Sequence, residues 1–572
     1  MRLLKVTDYV VEFLIKKGCT HAFGYPGGSA ANLINSFYKY RDKISAHVAY
    51  HEQGAAFEAC GYAQASGHIG VAYSIGGPGA TNLLTGIGHA YFDSIPLLCL
   101  TGNVNTYESC KGMRVRQRAF QECEIVPVAK SLTKYCAYVE KPEDIRYHLE
   151  RAYECAMAGR QGPVLLDLPM DVTKAEIDVD SLVGFVDERR VTTDEEGAFC
   201  KQFEELLSAS NRPCLIFGNG VKNAATKDVL ETAVRHLNLP YVTSMIAFDV
   251  LAGNPLCYGF LGASGSRSAN FIAAKSDLII AIGSRLDIRQ VGVARSKFAP
   301  NAKVIRVDID KGELEYKLHD DEYSFCLDAK RALELICDIE FKNDYSVWRE
   351  VCETIRKKTQ GMDMRKPNIY MKKISTYVPP HTVITTDVGQ NQVWTAQCFE
   401  LKEGQKVLFS GGFGSMGHAL PAAIGAYYGS KKMTIAIAGD GGLQMNIQEL
   451  QFIAREQIPI KIIVFNNHAL GMIRHFQEVW FDGVYYQTKP EGGFSSPSFC
   501  KIADAYGIES IEIHSSDDVV KAKEFLVSDK PALIEIQINE DTYEYPKLRF
   551  GSPNQDQEPL IDRKLYKDLM EL

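Results

Sequence analysis

Two polar turns in the last third of the chain contain residue types that can hold a metal ion and a phosphate. Asp440 follows a short apolar run that is predicted to be a buried strand, and Asn467 follows a second such run. Gly441 and Gly442 come directly after Asp440 and leave backbone N–H groups uncovered, which suits a phosphate. Carboxylate and amide oxygens suit a hard divalent cation. Because ligands bind at the carboxyl ends of parallel strands, the two turns predict a Mg²⁺–diphosphate site.

A further acidic residue with catalytic potential, Glu52, lies near the N-terminus. It follows the predicted strand 45–50 and precedes a helix rich in glycine and alanine. A glutamate at this position often serves only the helix, because its negative charge favours the helix N-terminus. The small-residue surroundings favour another interpretation, in which a buried carboxyl shares a proton with a ring nitrogen of a ligand.

The glycines upstream of Asp440 suggest a competing function. Gly412, Gly414 and Gly417 have the spacing GxGxxG after a predicted strand, as in a nicotinamide dehydrogenase. This motif alone is weak evidence. A ribose-binding acid also has no need of the two glycines that follow Asp440, so the dehydrogenase interpretation is disfavoured.

The elements that must position these residues alternate between strand and helix patterns, which predicts an α/β fold with parallel sheets covered by helices on both faces. The chain of 572 residues is too long for one core. We predict three domains at residues 1–180, 190–340 and 365–540, followed by a tail at 541–572. The polar segment Asp180–Gly197 is predicted to be a linker, and Thr7 to cap the first helix.

Composition excludes several classes of protein. The apolar content of 46% and charged content of 23% are typical of a globular protein. The net charge of −8, with no basic cluster, argues against a nucleic acid partner. No apolar run reaches membrane-spanning length. The 15 cysteines are scattered without a CxxC pair, and the N-terminus has no signal-peptide pattern, so we expect a cytoplasmic protein.

Taken together, these residues resemble the motifs of thiamine diphosphate (ThDP)-dependent enzymes, and most closely those of the acetolactate synthase (acetohydroxyacid synthase) group. The similarity extends over about residues 1–540. The motifs that carry it are Tyr25-Pro26-Gly27-Gly28, His51-Glu52-Gln53, Gly77-Pro78-Gly79-Ala80-Thr81-Asn82, Ala119-Phe120-Gln121-Glu122, Gly414-Ser415-Met416-Gly417 and Gly439-Asp440-Gly441 with Asn466-Asn467.

The resemblance implies a cofactor site divided between two domains. The first domain would bind the ThDP pyrimidine, with Glu52 on a ring nitrogen, and the third would bind the diphosphate and Mg²⁺. The implied metal ligands are Asp440, Asn467 and the backbone carbonyl of Ala469. The implied cofactor-binding residues are Gly28, Pro78, Asn82, Gly389, Gln390, Met416, Gly441, Gly442 and Met472.

Three further expectations follow from the same resemblance. Met416 would hold the cofactor bent, and Phe120 and Gln121 would line the side on which the acceptor binds. The group's synthases also carry FAD, and Arg160, Arg289 and Asp308 match positions that hold it. Because the two half-sites belong to different subunits in this group, the resemblance implies a homodimer, or a tetramer, with active sites shared between chains.

The implied activity is decarboxylation of a 2-keto acid, pyruvate, followed by carboligation to a second carbonyl, as in acetolactate synthase and branched-chain amino acid biosynthesis. The identity of the acceptor stays open. Phe476 replaces a tryptophan of the group that favours a larger acceptor, and Arg114, Arg116 and Arg118 precede Phe120. These arginines are either a solvated charge run or a site for a phosphorylated acceptor, such as a nucleotide-linked keto-sugar that receives an acetaldehyde unit. A non-catalytic ThDP-fold binding subunit is a remote alternative.

Overall fold

The computed structural model describes residues 2–187 and 194–572, and these residues form three six-stranded parallel sheets flanked by helices. The inner strands of the sheets are buried and mostly apolar, as expected for sheets covered on both faces. The predicted α/β fold is therefore confirmed. By internal contacts, one compact unit contains the first and third sheets, and a second contains the middle sheet with the C-terminal tail.

The first sheet has the strand order β3-β2-β4-β5-β7-β6, and the short strands β1 and β8 pair antiparallel beside it. The strands are β1 (Leu3–Lys5), β2 (His21–Gly24), β3 (Ser45–Val48), β4 (Gly70–Ser74), β5 (Leu97–Asn103), β6 (Tyr135–Tyr138), β7 (Pro163–Pro169) and β8 (Glu176–Asp178). The helices are α1 (Val6–Lys16), α2 (Ala31–Lys39), α3 (Glu52–Ser66), α4 (Pro78–Asn82), α5 (Leu84–Phe92), α6 (Ile125–Ala129), α7 (Ile145–Met157) and α8 (Met170–Lys174).

The middle sheet has the strand order β11-β10-β9-β12-β13-β14. Its strands are β9 (Pro213–Phe217), β10 (Tyr241–Thr243), β11 (Cys257–Phe260), β12 (Leu278–Ile282), β13 (Lys303–Asp308) and β14 (Tyr323–Cys326). The helices of this region are α9 (Asp194–Ala209), α10 (Asn219–Asn223), α11 (Lys227–Leu237), α12 (Arg267–Lys275), α13 (Ile288–Val291), α14 (Lys311–Leu314), α15 (Ala329–Asp338), α16 (Ser346–Thr359) and α17 (Lys366–Tyr377).

The third sheet has the strand order β16-β15-β17-β18-β20-β19, and the tail adds the antiparallel pair β21 and β22. The strands are β15 (Val383–Thr386), β16 (Lys406–Leu408), β17 (Thr434–Gly439), β18 (Ile460–Asn466), β19 (Glu509–Ile513), β20 (Ala532–Gln537), β21 (Lys547–Leu548) and β22 (Gln557–Glu558). The helices are α18 (Gln390–Cys398), α19 (Ala419–Ser430), α20 (Asp440–Met445), α21 (Leu450–Glu456), α22 (Gly471–Trp480), α23 (Phe499–Ala505), α24 (Lys523–Val527) and α25 (Arg563–Glu571).

Two local predictions are corrected. Helix α1 begins at Val6, so Thr7 lies inside it, and its hydroxyl donates to the carbonyl of Thr173 at 3.3 Å instead of capping the helix. The predicted linker Asp180–Gly197 is wrong for residues 194–197, which begin helix α9, and its residues 188–193 lie outside the described part of the chain. Among the described residues, the structure contains no helix with the length and apolarity needed to cross a membrane.

Helices α3 and α19 pack with their backbones unusually close, because glycines face the contact from both sides. A Cβ on Gly61 would lie 2.1 Å from the carbonyl oxygen of Ala422, and one on Gly425 would lie 1.7 Å from that of Glu58. The Glu58 side chain is fully buried in this contact. Burial and the negative charge of Glu449 raise the pKa of Glu58 well above its usual value. The raised pKa favours the protonated form of this carboxyl.

Replacing Glu58 with glutamine is expected to make stability less sensitive to alkaline pH. A carboxyl whose pKa is higher in the folded state stabilises the fold at low pH, and this contribution is lost as pH rises above the unfolded value of about 4.3. In wild-type protein the thermal midpoint should thus fall from pH 6 to 9, and in Glu58→Gln it should fall less. The exposed Glu143→Gln is the control. Parallel pH profiles for all three proteins would contradict this assignment.

Candidate active site

The predicted metal and diphosphate residues lie together at one edge of the third sheet. Strands β15, β17 and β18 are parallel neighbours. Asp440 follows β17, Asn467 follows β18, and the Gly389-Gln390 turn follows β15. A Cβ on Gly471 would lie 2.2 Å from Oε1 of Gln390 and 2.8 Å from Nδ2 of Asn467, so the side chains of Gln390 and Asn467 meet at the start of α22.

Asp440 has the properties expected of a metal-binding carboxylate. Its side chain is buried, with the residue 3% exposed, and its Oδ2 atom has no hydrogen-bond partner among the described residues. Burial raises the pKa of Asp440 to about 6, because the charged form is poorly solvated there. A buried carboxylate oxygen without a partner is unfavourable unless a cation neutralises it. The site therefore fits a divalent cation.

The other predicted metal ligands lie in a tight turn. Asn467 Oδ1 accepts a hydrogen bond from the backbone N–H of Ala469 at 3.3 Å, across His468, whose φ is +52°. Among the described residues, no group of three or more His, Cys, Asp or Glu side chains is suited to a metal. A cation here would thus rely on one carboxylate, amide and carbonyl oxygens, and a phosphate, which is the donor set preferred by Mg²⁺.

The glycines at this edge leave no room for side chains. A Cβ on Gly442 would lie 2.4 Å from Oδ1 of Asp387, and one on Gly441 would lie 2.6 Å from Cδ2 of Leu470 and 3.4 Å from Cε of Met416. Gly389 has a φ of +140°, which residues with a side chain rarely adopt. The backbone directly after Asp440 therefore carries no side chains of its own, and the tip of Met416 lies close to Gly441. Met472, the second residue of α22, is partly exposed.

The predicted pyrimidine residues lie together at the first sheet. Glu52 is the first residue of α3 and is 8% exposed. Its Oε2 accepts a hydrogen bond from Nδ2 of Asn82 at 3.0 Å, and its Oε1 lies 2.9 Å from where a Cβ on Gly79 would be. Pro78 is exposed at the first position of α4. The Glu52 carboxyl is therefore held at a site bordered by a glycine and by exposed backbone.

The predicted acceptor-side residues form a turn that lies against the same glycines. Gln121 has a φ of +63°, and its carbonyl oxygen lies 2.7 Å from where a Cβ on Gly77 would be. Phe120 is 87% exposed. Gly28 is also exposed, with open space around its Cα, and the hydroxyl of the next residue, Ser29, accepts the N–H of Gly76 at 3.1 Å. The turns after β2 and β4 and the Gln121 turn therefore meet.

Glu122 organises the loop before Phe120, a role that the sequence analysis missed. Its carboxylate accepts backbone N–H groups from Arg118 at 2.9 Å, from Ala119 at 3.2 Å and from Cys110. Burial would raise the pKa of Glu122, but these three hydrogen bonds outweigh it and lower the pKa to about 2. The sequence does show an acidic residue directly after Phe120-Gln121, but its hydrogen-bond partners on the loop could not be predicted from it.

The three residues predicted to hold FAD are divided between the two compact units. Arg160 lies in the unit with the first sheet, where its Nε donates to the hydroxyl of Ser94 at 2.9 Å. Arg289 and Asp308 lie in the unit with the middle sheet. Arg289 is exposed on α13, and Asp308 ends β13 and accepts the N–H of Asp310 at 2.9 Å.

Comparison with known families agrees with this arrangement. The model of the thiamine pyrophosphate enzyme N-terminal TPP binding domain matches residues 4–128, that of the central domain matches 200–336, and that of the C-terminal TPP binding domain matches 387–536. Thiamine pyrophosphate is ThDP under its other name. The fold is thus that of a ThDP enzyme.

Curated relatives define the family more closely. The acetolactate synthase large subunit of Lactococcus lactis is 34% identical over 562 residues, covering 95% of this chain and 94% of the relative. A probable acetolactate synthase large subunit of Methanocaldococcus jannaschii is 35% identical, covering 94% and 92%. The large subunit of Escherichia coli isozyme 1 is 32% identical, covering 96% of both. The chain belongs to the acetolactate synthase large-subunit family of ThDP enzymes.

Gly442→Ala is expected to weaken ThDP binding strongly. The new Cβ would lie 2.4 Å from Oδ1 of the buried Asp387, so the turn must move. Overpacking of this kind typically costs about 1–3 kcal/mol, which corresponds to an affinity loss of about 5- to 150-fold if it falls on the bound state. Calorimetric titration of the apoenzyme with ThDP and Mg²⁺ measures it.

Gly439→Ala is the matched control. Gly439 has a φ of −85°, and a Cβ there would meet its nearest atoms at 3.7 and 4.0 Å, which is ordinary contact. Its ThDP affinity should stay within about threefold of wild type. Equal losses in the two variants would contradict the steric argument.

Proposed function

We propose that this chain is the catalytic chain of a ThDP- and Mg²⁺-dependent carboligase that converts pyruvate to acetolactate. The observation that carries the proposal is the pair of half-sites in one chain of this family. One half has the buried Glu52 carboxyl hydrogen-bonded to Asn82 at 3.0 Å. The other has the buried Oδ2 of Asp440, which has no hydrogen-bond partner among the described residues, next to the glycine turn Gly441-Gly442.

In this proposal the diphosphate half holds the cofactor. Asp440, Asn467 and the carbonyl of Ala469 would ligate Mg²⁺, which neutralises the buried Asp440 oxygen. The glycine turns Gly441-Gly442 and Gly389-Gln390 would donate backbone N–H groups to the diphosphate, and Met416 and Met472 would contact the rest of the cofactor. When bound, ThDP supplies the electron sink that decarboxylation of a 2-keto acid requires.

The half-site assigned to the pyrimidine would supply the group that exchanges a proton during the reaction. Glu52 would hydrogen-bond the pyrimidine ring nitrogen and exchange a proton with it, while Asn82 Nδ2 keeps the carboxyl in one orientation. Gly28 and Pro78 leave the neighbouring backbone exposed to the cofactor. Phe120 and Gln121 would limit water around the second carbonyl, so that the two-carbon unit is transferred to that carbonyl and is not protonated.

The reaction balances without an external oxidant. Each turnover would break one C–C bond of a first pyruvate and release CO₂. The remaining two-carbon unit would then form a C–C bond to the carbonyl carbon of a second pyruvate, and one proton would be taken up to give acetolactate. Mass spectrometry of the products from pyruvate, ThDP and Mg²⁺ tests this proposal. Release of CO₂ without acetolactate would show that the acceptor is wrong.

A second acceptor class is favoured by one feature of the loop before Phe120. Residues 111–118 are all exposed and include Arg114, Arg116 and Arg118, while Glu122 holds the backbone of the loop. Guanidinium groups bind phosphates well. The alternative is transfer of an acetaldehyde unit to a nucleotide-linked keto-sugar. Addition of such acceptors, with a gain of a two-carbon unit as the readout, separates the two functions.

We further propose that the active site is shared in a homodimer or in a tetramer of two such pairs. The support is exposed apolar side chains on each half: Ile473, Phe476 and Trp480 on α22, and Phe120 in the turn before Glu122. Large exposed apolar patches typically mark interaction sites. Analytical ultracentrifugation with and without ThDP and Mg²⁺ measures the assembly state.

FAD binding and a cytoplasmic location complete the proposal. Arg289 and Asp308 lie on the unit of the middle sheet, and Asp308 is at the carboxyl end of a parallel strand, where nucleotides commonly bind. Arg160 is hydrogen-bonded to Ser94 within the other unit, so its role in FAD binding is the weaker part. The absorbance spectrum of the purified protein tests for FAD. All fifteen cysteines are free, as is usual in the cytoplasm.

A further inference from the structure

The segment that carries Met416 needs outside support to hold its shape. It connects β16 to α19 through residues 409–418, which form no regular helix or strand. Gly414 and Gly417 within it have φ values of +73° and +81°, so the backbone is free to adopt other conformations. A cofactor contact made from such a segment is well positioned only if hydrogen bonds fix the backbone of the segment.

Asp387 supplies those bonds on the C-terminal side of Met416. Its fully buried carboxylate accepts the N–H of Gly417 at 3.0 Å and the N–H of Ala419 at 3.0 Å, on different oxygens. The carbonyl oxygen of Gly417 accepts a hydrogen bond from Nδ2 of Asn446 at 2.8 Å. The peptide groups directly after Met416 are thus bonded on both sides.

The same carboxylate also contacts the diphosphate turn. Oδ1 of Asp387 lies 2.4 Å from where a Cβ on Gly442 would be, and it accepts the N–H of Val388, next to Gly389, at 2.9 Å. Asp387 therefore lies between the Met416 segment and both glycine turns assigned to the diphosphate.

Asp93 supplies the corresponding bonds on the N-terminal side of the segment. Its carboxylate accepts the N–H groups of Gly411 and Gly412 at 2.8 Å each and that of Phe413 at 3.3 Å. Within the segment, the hydroxyl of Ser410 accepts the N–H of Ser415 at 2.9 Å. The two buried carboxylates thus hold both ends of the segment and leave Met416 between them.

We propose that Asp387 is a positioning residue that sets the distance between Met416 and the diphosphate turn, with Asp93 fixing the other end of the Met416 segment. This inference rests on the proposed function, because Met416 matters only if ThDP binds beside it. An ionised carboxylate suits the task because both of its oxygens accept hydrogen bonds. An asparagine would direct an NH₂ group at one of the backbone N–H donors.

A double-mutant cycle between Asp387→Asn and Met416→Leu tests the inference, with ThDP affinity of the apoenzyme and kcat at saturating ThDP as readouts. Each single change is expected to raise the ThDP Kd by about tenfold. If Asp387 acts through Met416, the ThDP Kd of the double variant should exceed that of either single variant by less than about twofold. It should then lie about fivefold or more below the value expected if the two single effects multiplied. Effects that multiply independently would overturn the inference.

Two controls keep the outcome decisive. Phe120→Ala replaces Met416→Leu in a parallel cycle, where independent effects are expected. If Asp387→Asn does not fold, Asn446→Ala takes its place, because it removes the bond on the other side of the Gly417 peptide, and the same two outcomes decide. Wild-type protein that neither binds ThDP nor acts on pyruvate would instead refute the proposed function.

Discussion

Glu52→Gln is expected to lower kcat for pyruvate by about 10²- to 10⁴-fold, which is the usual contribution of a positioned acid–base group. Glutamine has nearly the same shape, and it can keep the contact with Asn82 Nδ2 that now measures 3.0 Å. It cannot exchange a proton with a ring nitrogen. ThDP affinity should therefore change by only a few-fold while turnover collapses, and calorimetry with a CO₂ release assay separates the two effects.

The control for Glu52→Gln is the same substitution six positions further along α3, at Glu58. Glu58 is fully buried near Glu449 and is not among the residues assigned to the cofactor. Its kcat at neutral pH should stay within about threefold of wild type. Wild-type turnover in Glu52→Gln, with ThDP bound, would exclude Glu52 from catalysis.

Asp440→Ala is expected to raise the ThDP Kd, measured in Mg²⁺, by at least about 100-fold. Loss of residues that merely orient metal ligands already costs about 10- to 100-fold, and here a ligand itself is removed. Chelation of Mg²⁺ should abolish wild-type activity, and added Mg²⁺ should restore it. The variant should stay inactive at the same Mg²⁺ concentration.

The thermal midpoint of Asp440→Ala gives a second readout, because it should not fall in the apoprotein although ThDP binding is lost. Oδ2 of Asp440 is buried without a hydrogen-bond partner, so removing the carboxyl should leave the thermal midpoint of the apoprotein unchanged or higher. The midpoint with ThDP and Mg²⁺ should fall, because binding no longer stabilises the fold. Asp504→Ala, exposed on α23, is the control. A lower apoprotein midpoint for Asp440→Ala alone would contradict the metal assignment.

The fold and the positions of the main site residues were accessible from sequence for local reasons. Asp440 and Asn467 each follow a run of buried apolar residues, and the parallel neighbours β17 and β18 bring their ends to one edge. Glu52 likewise follows β3 and begins α3. Strand, polar turn and helix recur within short stretches, so a single sequence contains the pattern. The ligand roles of these residues stay predictions.

The residues that hold the site in place were not accessible in this way. Asp93 accepts the N–H of Gly411 from 318 positions away, and Glu449 accepts that of Tyr50 from 399 positions away. Such bonds depend on packing between distant segments and leave no local pattern. The Thr7 prediction was wrong for a related reason, since packing of α1 lets Val6 begin the helix and turns Thr7 towards Thr173.

The central claim is tested most directly by the carbon balance of pyruvate consumption. Purified apoprotein is supplied with pyruvate, ThDP and Mg²⁺, and CO₂ and products are quantified together by gas analysis and mass spectrometry. The predicted result is one CO₂ and one acetolactate for every two pyruvates consumed, with neither formed when ThDP or Mg²⁺ is omitted. Pyruvate left intact, or CO₂ released with acetaldehyde as the only carbon product, would contradict the account.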